Sequence, residues 1–154
     1  MLSEKQLCGT WKLESWTIGY SDRDEISSPF GDDPEGILIY TPESWMSVSI
    51  NRRGRARLPE DVSFARIPEG LKAAAYSASF HYAGRYEVRE GCVIHTVTHS
   101  LNPNFPGTEQ VRHAELDGQT LVLSGKDEVG DITRFHALVW HKLPAPGEVE
   151  VRAG

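Results

Sequence analysis

The sequence predicts an all-β fold: an eight-stranded antiparallel up-and-down barrel with one short helix between the third and fourth strands. Three observations predict it. Eight runs carry the alternating, β-branched and aromatic pattern of strands. Glu90-Gly91 and Asp117-Gly118 separate consecutive runs as two-residue hairpin turns. One stretch alone, residues 68–80, sets Leu71, Ala74, Ala75 and Ala78 at helical spacing. A meander of this length has two bare edges unless it closes, and closure at about eight strands leaves an interior that holds one small ligand. Two stacked sheets are the alternative, because pattern does not tell a closed meander from a sandwich.

The first strand is Gly9 to Ile18, GTWKLESWTI, with Trp11 on one face and Trp16 on the other. Residues 21–35, SDRDEISSPFGDDPE, are turn formers and acids and read as a surface loop, with Pro29 and Phe30 placed to fold back over an opening. Gly36 to Tyr40 and Trp45 to Ile50 are the second and third strands, joined by the turn TPES. Residues 51–68 break the pattern and carry Arg52, Arg53, Arg55 and Arg57, which read either as a basic rim for an anionic ligand or as a solvated loop. Pro68 and Glu69 suit the first turn of the helix, whose weak amphipathicity fits a cap over one end of the fold. Five strands follow: His81 to Arg89, Cys92 to Leu101, Glu109 to Asp117, Thr120 to Ser124 and Ile132 to Leu143. The expected organisation is one domain over residues 1–143 and a flexible Pro/Gly/Glu-rich tail over 144–154.

The candidate site lies on the strand Cys92 to Leu101. With a side-chain period of two, Val93, His95, Val97, His99 and Leu101 share a face, and two imidazoles among aliphatics mark a cavity wall. The opposite face, with Cys92, Ile94, Thr96 and Thr98, is the alternative inward set. His95 is read as a polar anchor or general acid/base, with Phe of similar breadth able to replace it among its aliphatic neighbours. In the next strand Gln110 and Arg112 share a face with Ala114 and Leu116, which turns Arg112 inward. An interior arginine needs a partner, so it meets a carboxylate or enolate of a ligand or stacks on a tryptophan as a structural plug. Tyr40, Trp45 and Tyr86 offer wall area and, for the tyrosines, phenolic donors, and each serves equally as plain core. The last strand splits its apolar residues evenly and does not reveal its inner face.

Several function classes are disfavoured. The formal charge of −6 is spread along the chain, against a nucleic-acid partner. No apolar leader and no run of about 18 apolar residues is present, so the expectation is a cytoplasmic protein without a membrane span, a monomer or homodimer. Cys8 and Cys92 lack the count and spacing of a disulfide framework and read as thiols. His95 and His99 lie about 13 Å apart along an extended strand, too far to share a metal, and the other histidines show no ligand spacing. Phosphate-loop, dinucleotide, nucleophile-elbow and zinc-protease motifs are absent, so neither metal nor cofactor is expected.

Gly9-Thr10-Trp11 resembles the G-x-W signature of lipocalins and related calycins. In order along the chain come Pro29 to Tyr40, the helical insertion at 68–80, Tyr82 to Val88, Val93 to Val97, Pro103 to Gly107, Gln110 to Arg112 and Val139-Trp140. This ordered set, over residues 8–143, is similar to the bacterial and fungal lipocalin-like domain proteins. The resemblance implies a calycin-type barrel around a small, mostly apolar molecule, in a group that includes cofactor-free cyclases and isomerases. Two functions are therefore expected. The first is binding of a small hydrophobic, anionic or enolisable molecule by Tyr40, Trp45, Tyr86, His95, His99, Gln110 and Arg112. The second is cofactor-independent isomerisation or cyclisation of a polyketide- or terpenoid-like intermediate, with His95, His99 and Arg112 moving a proton and holding an oxyanion.

Overall fold

The computed structural model describes residues 1–145 and 147. Among them, strands β1 (Gly9–Tyr20), β2 (Arg23–Ser27), β3 (Glu35–Tyr40), β4 (Trp45–Asn51), β5 (Ser79–Arg89), β6 (Cys92–Ser100), β7 (Glu109–Asp117), β8 (Thr120–Val129) and β9 (Ile132–Lys142) form one antiparallel sheet. β1 pairs with β3 along one edge and with β9 along the other, so β1 and β3 to β9 close an eight-stranded barrel. Closure removes the sheet edges that a sandwich would leave. The tail expected over 144–154 lies for the most part outside the described residues.

Four elements differ from the sequence reading, one of them a short helix over Glu4–Leu7 that the sequence reading did not include. The stretch 21–35 is not all loop: β2 folds back on the end of β1, pairing Ser27 with Ile18 and Arg23 with Tyr20. It buries none of its residues, so it carried no alternation to detect. The helix α2 runs Glu69–Ser77 and stops short of residue 80, because Ser79 and Phe80 pair with Asn51 and Ile50 as the start of β5. α2 buries none of its own residues, and the buried Ile67 just before it is the anchor of this segment. β8 continues past Ser124 to Val129, its far half laddered to β9 from Gly125↔His136 to Val129↔Ile132.

One end of the barrel is shut by a short helix, α1 (Glu4–Leu7), and by the tryptophan of the GTW run. Leu7 and Trp11 are wholly buried, and Trp11 Nε1 donates to the Leu7 carbonyl at 2.8 Å. The Lys142 ammonium sits 5.3 Å from the centre of the Trp11 ring. The cation over this tryptophan is thus Lys142, which frees Arg112 from the plugging role that the sequence left open. Cys8 and Cys92 are free thiols.

A bulge between β5 and β6 decides which histidine faces inward. Ala83 pairs with His99 but Gly84 pairs with Val97, leaving Thr98 as an extra residue. The backbone comes so close here that a Cβ on residue 84 would lie 2.0 Å from the Thr96 carbonyl oxygen, which requires glycine. Before the bulge Val93, His95 and Val97 are buried; after it the alternation reverses, and His99 and Leu101 are exposed.

Candidate functional site

Away from the α1 end the barrel holds a cavity of about 380 Å³, within the range of small-molecule sites. Its apolar wall is aromatic. The Trp16 ring lies 5.1 Å from Phe30 and 5.7 Å from Phe80, and Phe80 lies 5.6 Å from Tyr82 and 5.9 Å from Phe105. Pro29 also lines the cavity, and Phe30 beside it packs edge-on against Trp16. Aliphatic side chains from β3, β4 and β9, Leu38, Ile50 and Leu138 among them, complete this part of the wall.

The polar part of the wall centres on β5, β6 and β7. His95, 2% exposed, has both ring nitrogens engaged: Nε2 lies 2.7 Å from the Tyr40 hydroxyl and Nδ1 lies 2.6 Å from the Tyr82 hydroxyl. Burial, and secondarily the Arg112 charge, push His95 down to about 3, so its ring is neutral at neutral pH. Burial pushes Tyr82 up to about 12 and holds Tyr40 well above the ordinary phenol range, so both keep their protons.

Arg112 enters the cavity across Gly125 of β8. A Cβ on residue 125 would lie 2.8 Å from Arg112 Nη1 and 3.1 Å from its Cδ, so the missing side chain is the space the guanidinium occupies. Arg112 donates to the Val111 carbonyl at 3.0 Å and to Gln110 Oε1 at 3.3 Å, both neutral oxygens. Gln110 in turn donates to Thr108 Oγ1 at 2.9 Å. Among the described residues no carboxylate forms an ion pair with Arg112.

At the mouth, Asp127 takes two bonds from Arg134, at 2.7 and 2.6 Å. His136 Nε2 lies 3.2 Å from the same carboxylate, and Trp16 Nε1 donates to His136 Nδ1 at 3.1 Å. An indole N–H only donates, so Nδ1 is the bare nitrogen and Nε2–H faces Asp127. The Arg134 bond holds the Asp127 carboxyl below its usual range, while burial lowers His136. The inner face of β9, undecided from sequence, is the one with Arg134, His136, Leu138 and Trp140.

Of the residues singled out from sequence, His95, Gln110 and Arg112 line this cavity together. Tyr40 lies behind the wall, reaching it through His95 and packing on Tyr86 with ring centres 4.6 Å apart. Tyr86 is also behind it, donating to the Thr41 carbonyl at 2.8 Å with Cys8 Sγ 3.4 Å from its hydroxyl. Trp45 is on the outer face, half exposed beneath Arg85 at 4.6 Å, because inward Met46, Val48 and Ile50 take the other phase of β4. His99 is outside as well, bonded to Thr98 Oγ1 at 2.9 Å, turned there by the bulge. The arginine cluster ties loops together: Arg52 donates to the Pro29 carbonyl at 2.7 Å, Arg53 pairs with Asp33 and Glu35 at 2.8 and 2.9 Å, and Arg55 donates to Ser79 at 2.7 Å.

Sequence reasoning missed Trp16, Phe80, Tyr82, Phe105 and His136 as wall residues. Tyr82 was within reach, since the period of two puts it on the same face of β5 as Tyr86. Phe80 was hidden by its inclusion in the helix. Among the described residues there is no cluster of His, Cys, Asp or Glu able to hold a metal ion, and no helix is long and apolar enough to cross a membrane.

Comparison with known proteins agrees with this architecture. No curated protein sequence matches the chain. A family model described as a lipocalin-like domain matches residues 8–143, from the residue before the GTW run to the end of the last strand. The span takes in every strand of the closed barrel and every residue of the cavity wall, and the chain belongs to the lipocalin-like domain family.

Proposed function

We propose that the protein binds a small, mostly apolar molecule inside the barrel, with an anionic or enolisable oxygen of that molecule held by Arg112. The observation that carries this reading is a guanidinium inside an aromatic-lined cavity whose protein partners are neutral oxygens. A charge placed there without a counter-ion is costly unless the guest supplies one. The family supports small-molecule binding in general, and the aromatic wall supports a flat apolar body.

Binding is favoured here over cofactor-independent isomerisation or cyclisation by the state of His95. A general base for proton abstraction works best with a pKa near the operating pH and a free nitrogen. His95 is pushed down to about 3 and both its nitrogens are bonded to tyrosines.

Titration with 1-anilinonaphthalene-8-sulfonate tests the reading, because this probe joins an apolar body to an anion. Uptake with quenching of the wall residues Trp16 and Trp140 is expected. Arg112→Met keeps the apolar stem and removes the charge, and loss of a charged hydrogen bond of about 1.5–3 kcal/mol weakens the probe roughly tenfold to a hundredfold. A folded Arg112→Met protein with wild-type affinity removes Arg112 from the site, and absence of uptake by the wild type removes the cavity as a binding site.

A further inference from the structure

We propose that the Tyr40, His95 and Tyr82 chain has a fixed direction: Tyr40 donates to His95 Nε2, His95 Nδ1–H donates to Tyr82, and the Tyr82 proton is presented to the cavity. Tyr82 is then the hydrogen-bond donor to the guest, and the guest is one that offers a carbonyl, carboxylate or enolate oxygen. This rests on the cavity being a small-molecule site and adds the group that reads the molecule's polar end.

The direction follows from counting protons. A neutral imidazole has one N–H and one bare nitrogen. Of two phenols bonded to it, one gives its proton to the bare nitrogen; the other accepts, and keeps a proton that needs a third partner. If the accepting phenol were Tyr40, that proton would be stranded. Tyr40 is 1% exposed, stands outside the cavity wall, and its hydroxyl bonds to His95 alone among the described residues. A buried donor without an acceptor is disfavoured strongly enough to select the other arrangement. Tyr82, by contrast, is a residue of the cavity wall, so an acceptor for its proton can come from the cavity side.

The rest of the wall has the same polarity. Its acceptors are engaged: the Asp127 carboxylate by Arg134 and His136, His136 Nδ1 by Trp16, Gln110 Oε1 by Arg112. Donors are left over. Arg112 has five N–H groups, of which these contacts engage two. A wall with spare donors and occupied acceptors selects a molecule by its acceptor oxygens.

Two measurements test this. The first needs no ligand: imidazole nitrogen NMR on the ¹⁵N-histidine-labelled protein, with the His95 signals identified by their loss in His95→Gln. The expected result is a protonated Nδ1 and a bare Nε2 throughout pH 5 to 8; an Nε2–H tautomer overturns the proposed direction. The second compares 6-propionyl-2-(dimethylamino)naphthalene with its 6-propyl analogue, which lacks the carbonyl. Bound ketone should show the red-shifted emission of a hydrogen-bonded carbonyl. Tyr82→Phe, checked for folding by near-ultraviolet circular dichroism, should weaken the ketone about three- to tenfold, shift its emission to the blue and leave the propyl analogue unchanged. Equal effects on both probes, or none on either, overturn Tyr82 as the donor while leaving the binding reading in place. Failure of both probes to bind the wild type overturns the binding reading itself and with it the contact proposed for Tyr82. Should Tyr82→Phe not fold, the NMR result and the wild-type emission of the bound ketone decide the question.

Discussion

Replacing His95 by phenylalanine separates shape from hydrogen bonding in the centre of the barrel. The ring breadth is nearly kept, and sequence alone suggests that folding survives the change while binding or turnover weakens. The structure adds a cost in stability, because two phenols lose their partner at once. Tyr82 is a residue of the cavity wall, the side from which water can replace the lost partner. Tyr40 has no such recourse, being 1% exposed with its hydroxyl bonded, among the described residues, only to His95. Leaving one buried hydroxyl unsatisfied costs about 1–3 kcal/mol, which in a domain of this size lowers Tm by roughly 2–12 °C. The double variant His95→Phe/Tyr40→Phe removes the stranded group, so it should recover at least about 1 kcal/mol of that loss. Urea unfolding of the wild type, both single variants and the double variant measures this coupling directly. A His95→Phe protein with the wild-type midpoint, or a double variant that simply sums the two single losses, refutes the reasoning.

Gly125→Ala puts a methyl 2.8 Å from Arg112 Nη1 and 3.2 Å from the Val111 carbonyl oxygen, so the guanidinium must move. The expected outcome in a sulfonate-probe titration is a loss of several-fold in affinity, on the order of one displaced hydrogen bond, with a Tm change smaller than that of His95→Phe. Acid sensitivity follows from His95: the unfolded chain takes a proton below its ordinary value of 6.5, while the native ring refuses one until about 3. Stability present above 6.5 is therefore lost progressively as the pH falls towards 3. His136, lowered mainly by burial, acts in the same direction, and Asp127, held low by Arg134, adds its loss only below the ordinary carboxylate range. Denaturation midpoints from pH 7 to 4 should fall less steeply in His95→Gln than in the wild type, and parallel profiles would remove His95 as a source.

The barrel was legible because its strands bury one face each. Alternation in β4, with Met46, Val48 and Ile50 buried against Trp45, Ser47 and Ser49, survives in the sequence as a period of two, and Glu90-Gly91 marks the β5–β6 hairpin by chemistry. β2 was illegible for the converse reason: Arg23 to Glu25 are exposed and Ile26 points to solvent, so it is held by backbone pairing and by polar contacts with Tyr20 that leave no alternation in the sequence. His95, Gln110 and Arg112 were found because each is a polar residue in phase with buried aliphatics. His99 was in phase as well, and only the extra residue at Thr98 turns it out; a bulge shifts register without a mark strong enough to read from one sequence. The tyrosine pair on His95 joins β3, β5 and β6, a meeting that depends on how three strands align across the barrel.

β1 is laddered to β3 only from Gly9 to Lys12, while its other edge follows β9 from Trp11 to Tyr20. Between Lys12 and the pairing with β2 at Ile18, the neighbour on the β3 side is the segment that carries Pro29 and Phe30, fastened by side chains: Arg52 on the Pro29 carbonyl, Arg53 on Asp33, Phe30 edge-on to Trp16. Releasing these contacts requires no strand pair to part. Segments of that kind move on nanosecond to microsecond timescales, whereas opening a barrel ladder requires local unfolding. Under the binding proposed above, the residence time of a guest and the strength with which it is held are set in different places. A change in the fastening at Arg52 is expected to scale arrival and departure rates together and cancel in their ratio, whereas a change at Arg112 or Tyr82 is expected to alter the ratio itself.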